Sequence, residues 1–202
     1  MPQPLILASQ SPRRRALLTA LGLTFTVDAA DVDETPQPDE APGDVVIRLS
    51  RAKALAVAAR HPHAVVLAAD TVVVLDGALL GKPVNPDEAW VMLRALRGRT
   101  HQVYTAVTVT NDGSSRSQLS VSDVTMRLYS DAEITDYIAS GDPLDKAGAY
   151  AIQHPLFAPV AGWTGCYTDI MGLPLGVAAD LLREAGVHVP GDVAATAHQR
   201  HC

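Results

Sequence analysis

Three consecutive arginines (residues 13–15) follow a short apolar run and two serines near the start of the chain. Leu5 to Ala8 is typical of a buried strand. Ser11 and Pro12 are typical of the N-cap and first position of a helix that ends before Gly22. A helix N-terminus presents free N–H groups and attracts anions, and arginines add planar forks that bind phosphate oxygens in pairs. This stretch therefore predicts a polyphosphate site at the carboxyl end of the first strand.

The alternative is that these arginines form only the solvated first turn of a surface helix. Positive side chains at a helix N-terminus oppose the helix dipole, and a purely structural helix more often carries Asp or Glu there. We therefore favour the anion site.

A second candidate segment is the apolar run from Val65 to Ala69, followed by Asp70 and Thr71. We expect a strand that ends in these two side chains, at the edge where open α/β sheets bind ligands. A hairpin that turns at Asp76-Gly77 then leads to Lys82, which Pro83 holds extended and which suits a phosphate contact. A structural cap is the alternative for Asp70, but a β-rich run follows it rather than a helix.

The chain has few lysines, and all of them fall inside the sequence motifs that are given below. Lysine and arginine total 16, of which only Lys53, Lys82 and Lys146 are lysines. Apolar spacing predicts a helix over residues 44–60, and Lys53 projects from this helix, from which it can reach a cleft. An exposed helix lysine is the alternative.

The remaining chain alternates predicted helices, strands and loops. The acidic side chains of the loop at residues 30–43 are interpreted as mostly solvated, and His101 is interpreted as structural. The predicted elements are a helix over 85–97, a hairpin of strands 100–110 and 117–128, a helix over 130–139, a strand from Trp163 to Ile170, a helix over 174–184 and a C-terminal tail.

Composition excludes several classes of protein. The net charge of −6 argues against a nucleic-acid surface, and no apolar run is long enough to cross a bilayer. The first residues lack the pattern of a secretory signal, so we expect a cytoplasmic protein that does not bind membranes. The two cysteines, Cys166 and Cys202, have no metal-ligand spacing.

An ordered set of motifs resembles the Maf family of nucleoside triphosphate pyrophosphatases. The resemblance covers about residues 5–186 and departs from the family pattern at His154-Pro155, Cys166 and residues 168–171. Its motifs are Ser9-Gln10-Ser11-Pro12-Arg13-Arg14, Asp33-Glu34, Arg48-Leu49 with Lys53, Ala69-Asp70-Thr71-Val72-Val73, Gly81-Lys82-Pro83, Leu144-Asp145-Lys146-Ala147-Gly148-Ala149-Tyr150 with Gln153, and Gly172-Leu173-Pro174-Leu175.

The resemblance implies hydrolysis of dTTP and UTP to the nucleoside monophosphate and pyrophosphate. It implies a divalent cation, Mg²⁺ or Mn²⁺, held by Glu34 and Asp70, with Asp70 orienting or deprotonating the attacking water. The implied phosphate-binding residues are Ser9, Arg14, Lys53 and Lys82. The residues that imply the pyrimidine preference are Arg13, Thr71 and Gln153.

The fold implied by the resemblance is α/β, a twisted mixed β-sheet flanked by helices in two lobes with a central cleft (Maf/ITPase-like). We expect one such domain over residues 1–187 and a disordered tail over 188–202. The polar face of the long hairpin is either the edge of a homodimer or solvated. Alternatives for the function are a 7-methyl-GTP pyrophosphatase, a nucleotidyltransferase and a non-catalytic, nucleotide-sensing regulator of cell division.

Overall fold

One seven-stranded sheet is the framework of the computed structural model, which describes residues 3–190. Its strands are β1 (Leu5–Leu7), β2 (Thr26–Val27), β3 (Val65–Leu75), β4 (Ala78–Leu80), β5 (Thr100–Asn111), β6 (Ser114–Met126) and β7 (Val160–Trp163). Their order is β2-β1-β3-β5-β6-β7, with β4 paired to β3. β1 is parallel to β2 and β3, whereas β3 and β4, and β6 and β7, are antiparallel. The sheet is therefore mixed, as expected.

Six α-helices and two short 3₁₀ helices connect these strands. They are α1 (Pro12–Ala20), α2 (Pro42–Ala58), α3 (Pro86–Leu96), α4 (Asp131–Ala139), α5 (Tyr167–Ile170) and α6 (Leu175–Glu184), with 3₁₀ turns at Asp142–Asp145 and Ala147–Ala149. The predicted α/β class is confirmed. In the part of the chain that the structure describes, no helix is long and apolar enough to span a bilayer.

Local side-chain bonds start three of these helices at the predicted residues. The Ser11 hydroxyl accepts a hydrogen bond from the Arg14 N–H, and Asn85 accepts from the Glu88 N–H. Ser130 and Glu133 form a reciprocal capping box. These bonds satisfy N–H groups that have no partner within the helix, which explains why the starts of α1, α3 and α4 are readable from sequence.

Alternate residues of β1 and β3 build two separate apolar layers. Leu5 and Leu7 of β1 share a core with residues of α1, β5 and α6. Ile6 and Ala8 share another with Ala54 and Val57 of α2. Successive side chains of a strand point to opposite faces, so even-numbered residues at this end of β3 face α2. This places Asp70 on the side of the sheet that α2 covers.

The chain divides into two compact units. Among the described residues, the first contains 3–70, 105–120 and 166–190, and the second contains 71–104 and 121–165. The first unit holds α1, α2, α5 and α6. The second holds α3 and α4 and an aromatic cluster of Tyr129, Tyr137 and Phe157.

Two strand predictions are wrong in their bounds. β3 does not end at Asp70 and Thr71 but continues to Leu75, because a salt bridge neutralises the buried Asp70 carboxylate and valines follow. The predicted strand from Trp163 to Ile170 is a strand only at its first residue. Gly165, with φ of +85°, turns the chain there, and α5 follows.

Part of the C-terminal segment predicted as a tail is described by the structure. Val189 is buried in the core of the first unit, and the Pro190 ring lies against Gly22. The remainder of the predicted tail, residues 191–202, lies outside the described residues.

Candidate functional site

The register of two parallel strands brings Ser9 close to the segment that carries Asp70. Leu5, Ile6 and Leu7 of β1 pair with Val65, Val66 and Leu67 of β3, and the Ala8 N–H continues the ladder to the Leu67 carbonyl over 2.7 Å. The same offset puts Ser9 opposite Ala69. β1 has ended at this point while β3 continues, so Asp70 lies beyond the carboxyl end of β1. The predicted edge is therefore formed by β1, not by the end of β3.

Lys53 joins the two predicted carboxylates. Its ammonium nitrogen lies 2.6 Å from Oδ1 of Asp70 and 2.5 Å from Oε1 of Glu34. The side chains of Lys53 and Asp70 are 12% and 9% exposed, whereas that of Glu34 is 52% exposed. A helix residue, a strand residue and a loop residue thus meet at one cation, and only the loop residue is open to solvent.

Arg14 is held by bonds at the start of α1 and by a distant turn. Its Nη1 donates to the Ser9 hydroxyl over 3.2 Å, and its Nε donates to the carbonyl of Gly172 over 2.8 Å. Ser9 also accepts from the Ser11 N–H at 3.2 Å. The Gly172 backbone has φ of +100°, a conformation that favours glycine. The turn between α5 and α6 therefore fixes the direction of the Arg14 side chain.

Charge and burial act in opposite directions on Arg14. Its partial removal from water lowers the pKa of the guanidinium below its ordinary value, and the neighbouring Asp70 carboxylate opposes that shift. Arg13 lowers the pKa of Arg14 further, and Glu34 raises it. The first unit thus holds three cationic side chains (Arg13, Arg14, Lys53) and two anionic ones (Glu34, Asp70) that were predicted as site residues. Such a cluster suits a polyanion together with a cation.

The loop that carries Glu34 is held to α2 by Arg48. Both oxygens of Glu40 accept hydrogen bonds from the Arg48 guanidinium over 2.6 Å, and Arg48 also donates to the Thr35 carbonyl over 3.2 Å. The bonds from Arg48 lower the pKa of Glu40 to about 2. The expectation of a solvated acid is therefore wrong for Glu40, which anchors the loop next to Glu34.

The second unit holds Thr71, Lys82 and Gln153. Lys82 is exposed, Thr71 and Gln153 are half-buried, and among residues 3–190 the side chains of Lys82 and Gln153 have no ion pair or hydrogen bond. The Gly148 N–H donates to the Gly81 carbonyl over 3.0 Å. This bond joins the loop before α3 to the loop that leads to Gln153.

Packing within the second unit explains why residue 148 is a glycine. Its φ is +67°, and an added Cβ would lie 3.0 Å from the Val73 side chain of β3. The small residues of this motif thus allow the loop to pack on β3, in addition to any approach to a ligand. Lys146 is buried and donates to Asp142 and Asp145, so its ammonium serves the protein's own loop.

The donor set of the first unit fits a divalent cation bound together with substrate. Glu34 and Asp70 supply hard carboxylate oxygens that already surround one positive charge. Within the described ranges, no group of three or more His, Cys, Asp or Glu side chains could hold a metal. Mg²⁺ is commonly bound by one or two carboxylates plus phosphate oxygens and water, which matches this set.

Sequence reasoning missed several residues around these segments. Tyr137, Asp142 and His154 form contacts beside Gln153 that no local pattern signals. The Gly172 carbonyl is another, because it lies 158 residues from Arg14 in the chain. A backbone acceptor leaves no trace in residue type, so only the glycine itself gave a hint.

Comparisons with known proteins agree with the motifs. Residues 4–185 match the family model described as Maf-like protein. The chain is 52% identical over 187 residues to a Myxococcus xanthus protein named dTTP/UTP pyrophosphatase, covering 92% of this chain and 94% of that protein. It is 50% identical over 186 residues to a Thermomicrobium roseum protein of the same name, covering 92% and 85%.

Proposed function

We propose, from the premise that this chain belongs to the Maf family, that it hydrolyses dTTP and UTP to the nucleoside monophosphate and pyrophosphate. Relatives at about half identity over nine-tenths of the chain carry the name of this activity. The protein is on this basis a hydrolase of acid anhydrides in nucleotides.

One observation carries the proposal: Lys53 contacts both Glu34 and Asp70, and Arg14 lies beside them. Phosphoryl-group chemistry requires mainly positioning and neutralisation of charge. A cluster with three cations and two carboxylates provides both. A purely structural ion pair would not need an adjacent arginine whose guanidinium is oriented by Ser9 and by the Gly172 carbonyl.

We assign the phosphate contacts to cations from separate segments. Arg14 and Lys53 bind phosphate oxygens in the first unit, with Ser9 orienting Arg14 and adding a hydroxyl. Lys82 is the phosphate contact contributed by the loop before α3. Its exposure and lack of an ion pair among the described residues leave its ammonium available for an anion.

Asp70 is the catalytic group in this proposal. Its carboxylate orients the attacking water or accepts its proton, a role that contributes about a hundredfold or more in rate. Lys53 holds this carboxylate in one position through the 2.6 Å contact. When bound, a Mg²⁺ or Mn²⁺ ion would neutralise charge on the phosphates and make water more acidic, with Glu34 and Asp70 as its protein ligands.

Base selection is assigned to Arg13, Thr71 and Gln153. A glutamine amide has two donors and an acceptor, which suits the polar edge of thymine or uracil. The half-buried position of Gln153 supports this role. The alternative for these residues is a preference for 7-methyl-GTP. Because the net charge of the chain is −6, we propose no nucleic-acid partner. A cytoplasmic location and a homodimer belong to the proposal as well.

The test is pyrophosphate release from a panel of nucleoside triphosphates that includes dTTP, UTP, CTP, ATP and 7-methyl-GTP. We expect release from dTTP and UTP with Mg²⁺ and loss of release with a chelator. Preferential release from 7-methyl-GTP would contradict the pyrimidine assignment. Tight dTTP binding without turnover would support a nucleotide sensor instead. Diversion of the monophosphate into a conjugate when an alcohol or sugar-phosphate acceptor is added would identify a transferase.

A further inference from the structure

Tyr137, near the end of α4, contacts the chain on both sides of Gln153. Its hydroxyl accepts a hydrogen bond from the Ala151 N–H over 3.1 Å. Its ring packs on the His154 ring, with centroids 4.7 Å apart. Ala151 is two residues before Gln153 and His154 is the next residue, so one side chain binds the backbone before the glutamine and packs on the side chain after it.

Asp142 and Lys146 extend the hydrogen bonding of the Tyr137 hydroxyl into a network. The Tyr137 hydroxyl donates to Oδ2 of Asp142 over 2.6 Å, and the Lys146 ammonium donates to Oδ1 over 3.0 Å. Lys146 also donates to the Asp142 carbonyl and to Asp145. Burial opposes ionisation of Asp142, but the bonds from Tyr137 and Lys146 outweigh it and the pKa of Asp142 is lowered.

The network is built into the interior of the second unit. Tyr137 is 3% exposed, Ala151 5% and Lys146 6%. The Tyr137 ring also stacks on the Phe157 ring, with centroids 4.3 Å apart. Leaving a buried donor or acceptor without its partner costs free energy. The hydrogen bonds that run from Lys146 through Asp142 and Tyr137 to the Ala151 N–H therefore stabilise one another.

We propose that Tyr137, Asp142 and Lys146 are positioning residues that hold the Gln153 loop in the conformation that reads the pyrimidine base. This inference rests on the proposed function, in which Gln153 contacts the base. The Gln153 side chain has no hydrogen bond of its own among residues 3–190, so its position depends on its backbone. The network supplies that restraint from outside the loop.

The test compares two buried tyrosines of the same aromatic cluster. Tyr137→Phe removes the hydroxyl that binds Ala151 but keeps the ring on Phe157. Tyr129→Phe is the matched control, because the Tyr129 hydroxyl is also buried, donates to the Leu93 carbonyl over 2.7 Å, and belongs to a ring that packs on Phe157. The measured quantity is kcat/KM for UTP divided by kcat/KM for ATP.

We expect Tyr137→Phe to lower this ratio about three- to tenfold, and Tyr129→Phe to leave it unchanged. In a Gln153→Ala background, which lowers the ratio by itself, Tyr137→Phe should have no further effect on it. His154→Ala, at a half-buried position, removes the ring contact and should also lower the ratio. This variant tests the network even if Tyr137→Phe does not fold.

The possible negative results distinguish an error in the proposed function from an error in the role of the network. A wild-type protein that releases no pyrophosphate from UTP would reject the proposed function, and the role of the network with it. A ratio that falls in Gln153→Ala but not in Tyr137→Phe or His154→Ala would overturn the network alone. Equal decreases in Tyr137→Phe and Tyr129→Phe would show a general loss of structure and would also overturn it.

Discussion

The Lys53 ammonium donates a hydrogen bond to Oδ1 of Asp70 over 2.6 Å, across 17 residues of sequence. Lys53 projects from α2, and Asp70 lies on the face of β3 that α2 covers. The contact places a positive charge beside a 9%-exposed carboxylate inside a strand that continues past it. The same pair therefore serves both the continuity of the sheet and the proposed chemistry.

Asp70→Asn should strongly reduce turnover and leave nucleotide binding in place. The amide keeps the shape of the side chain but neither accepts a proton nor carries the charge that a cation needs, so we expect kcat to fall by about a hundredfold or more. Pyrophosphate release and calorimetric dTTP binding measure the two effects. Unchanged turnover would remove Asp70 from the catalytic step.

Lys53→Met should destabilise the protein as well as inactivate it. It leaves the nearly buried Asp70 carboxylate without its counter-charge, which we expect to lower the free energy of unfolding by about 2–4 kcal/mol at pH 7. Urea denaturation measures this loss, with Arg51→Met on the exposed side of α2 as the control. The double variant Lys53→Met/Asp70→Asn should recover most of the stability but no activity. A double variant as unstable as Lys53→Met would show that the charge is not the cause.

Gly172→Ala should reduce activity through Arg14. A Cβ is unfavourable at φ of +100°, and relief of that strain would move the carbonyl that accepts from Arg14. We expect kcat/KM to fall about tenfold, with the decrease absent in an Arg14→Lys background. Gly186→Ala is the control, because its φ is +84° and its Cβ would meet no atom within 4 Å. If both alanine variants had equal kcat/KM values, the Arg14 anchor would have no role.

Lys82→Ala should raise KM with little effect on folding. Lys82 is exposed, so the free energy of unfolding should change by less than about 0.5 kcal/mol. Loss of a phosphate contact should raise KM for UTP about tenfold, and high salt should reduce the difference from wild type. Arg51→Ala, another exposed cation, should leave KM unchanged. A KM equal to that of wild type would exclude Lys82 from phosphate binding.

His101 should make the protein less stable in mild acid. Burial lowers its pKa from 6.5 to about 4, against a smaller opposing effect of Asp123, and its Nε2 lies 2.7 Å from the Tyr150 hydroxyl. Between those pH values the unfolded chain binds the proton and the folded protein does not, so stability falls as pH falls.

The loss due to His101 should approach about 3 kcal/mol by pH 4. Urea denaturation at pH 7 and pH 5 measures it, and His101→Gln should show a smaller difference between the two pH values. Exposed His63→Gln should behave as wild type does. An unchanged pH dependence in His101→Gln would assign the effect to other groups.

Sequence reasoning succeeded where the cause is local. The Ser11 cap of α1, the Asp76-Gly77 turn and the capping box of α4 involve residues at most three apart, so their types and spacing carry the information. It failed where a distant partner changes a local preference. Asp70 looked like the end of a strand because a carboxylate interrupts an apolar run, but β3 continues past it and the carboxylate is paired with Lys53 of α2.

The amino-acid sequence alone determined the family, because its ordered motifs are short stretches whose residue types and order carry the information, and the resemblance to that family implied the fold class and the set of side chains proposed for the chemistry. The tertiary structure alone decided which of those side chains meet: Lys53 with Glu34 and Asp70, Arg14 with the Gly172 carbonyl, and Tyr137 with the backbone before Gln153. Such contacts join segments that are far apart in the chain. They depend on how the elements pack and on the register of the strands, and the types of the contacting residues alone do not determine either.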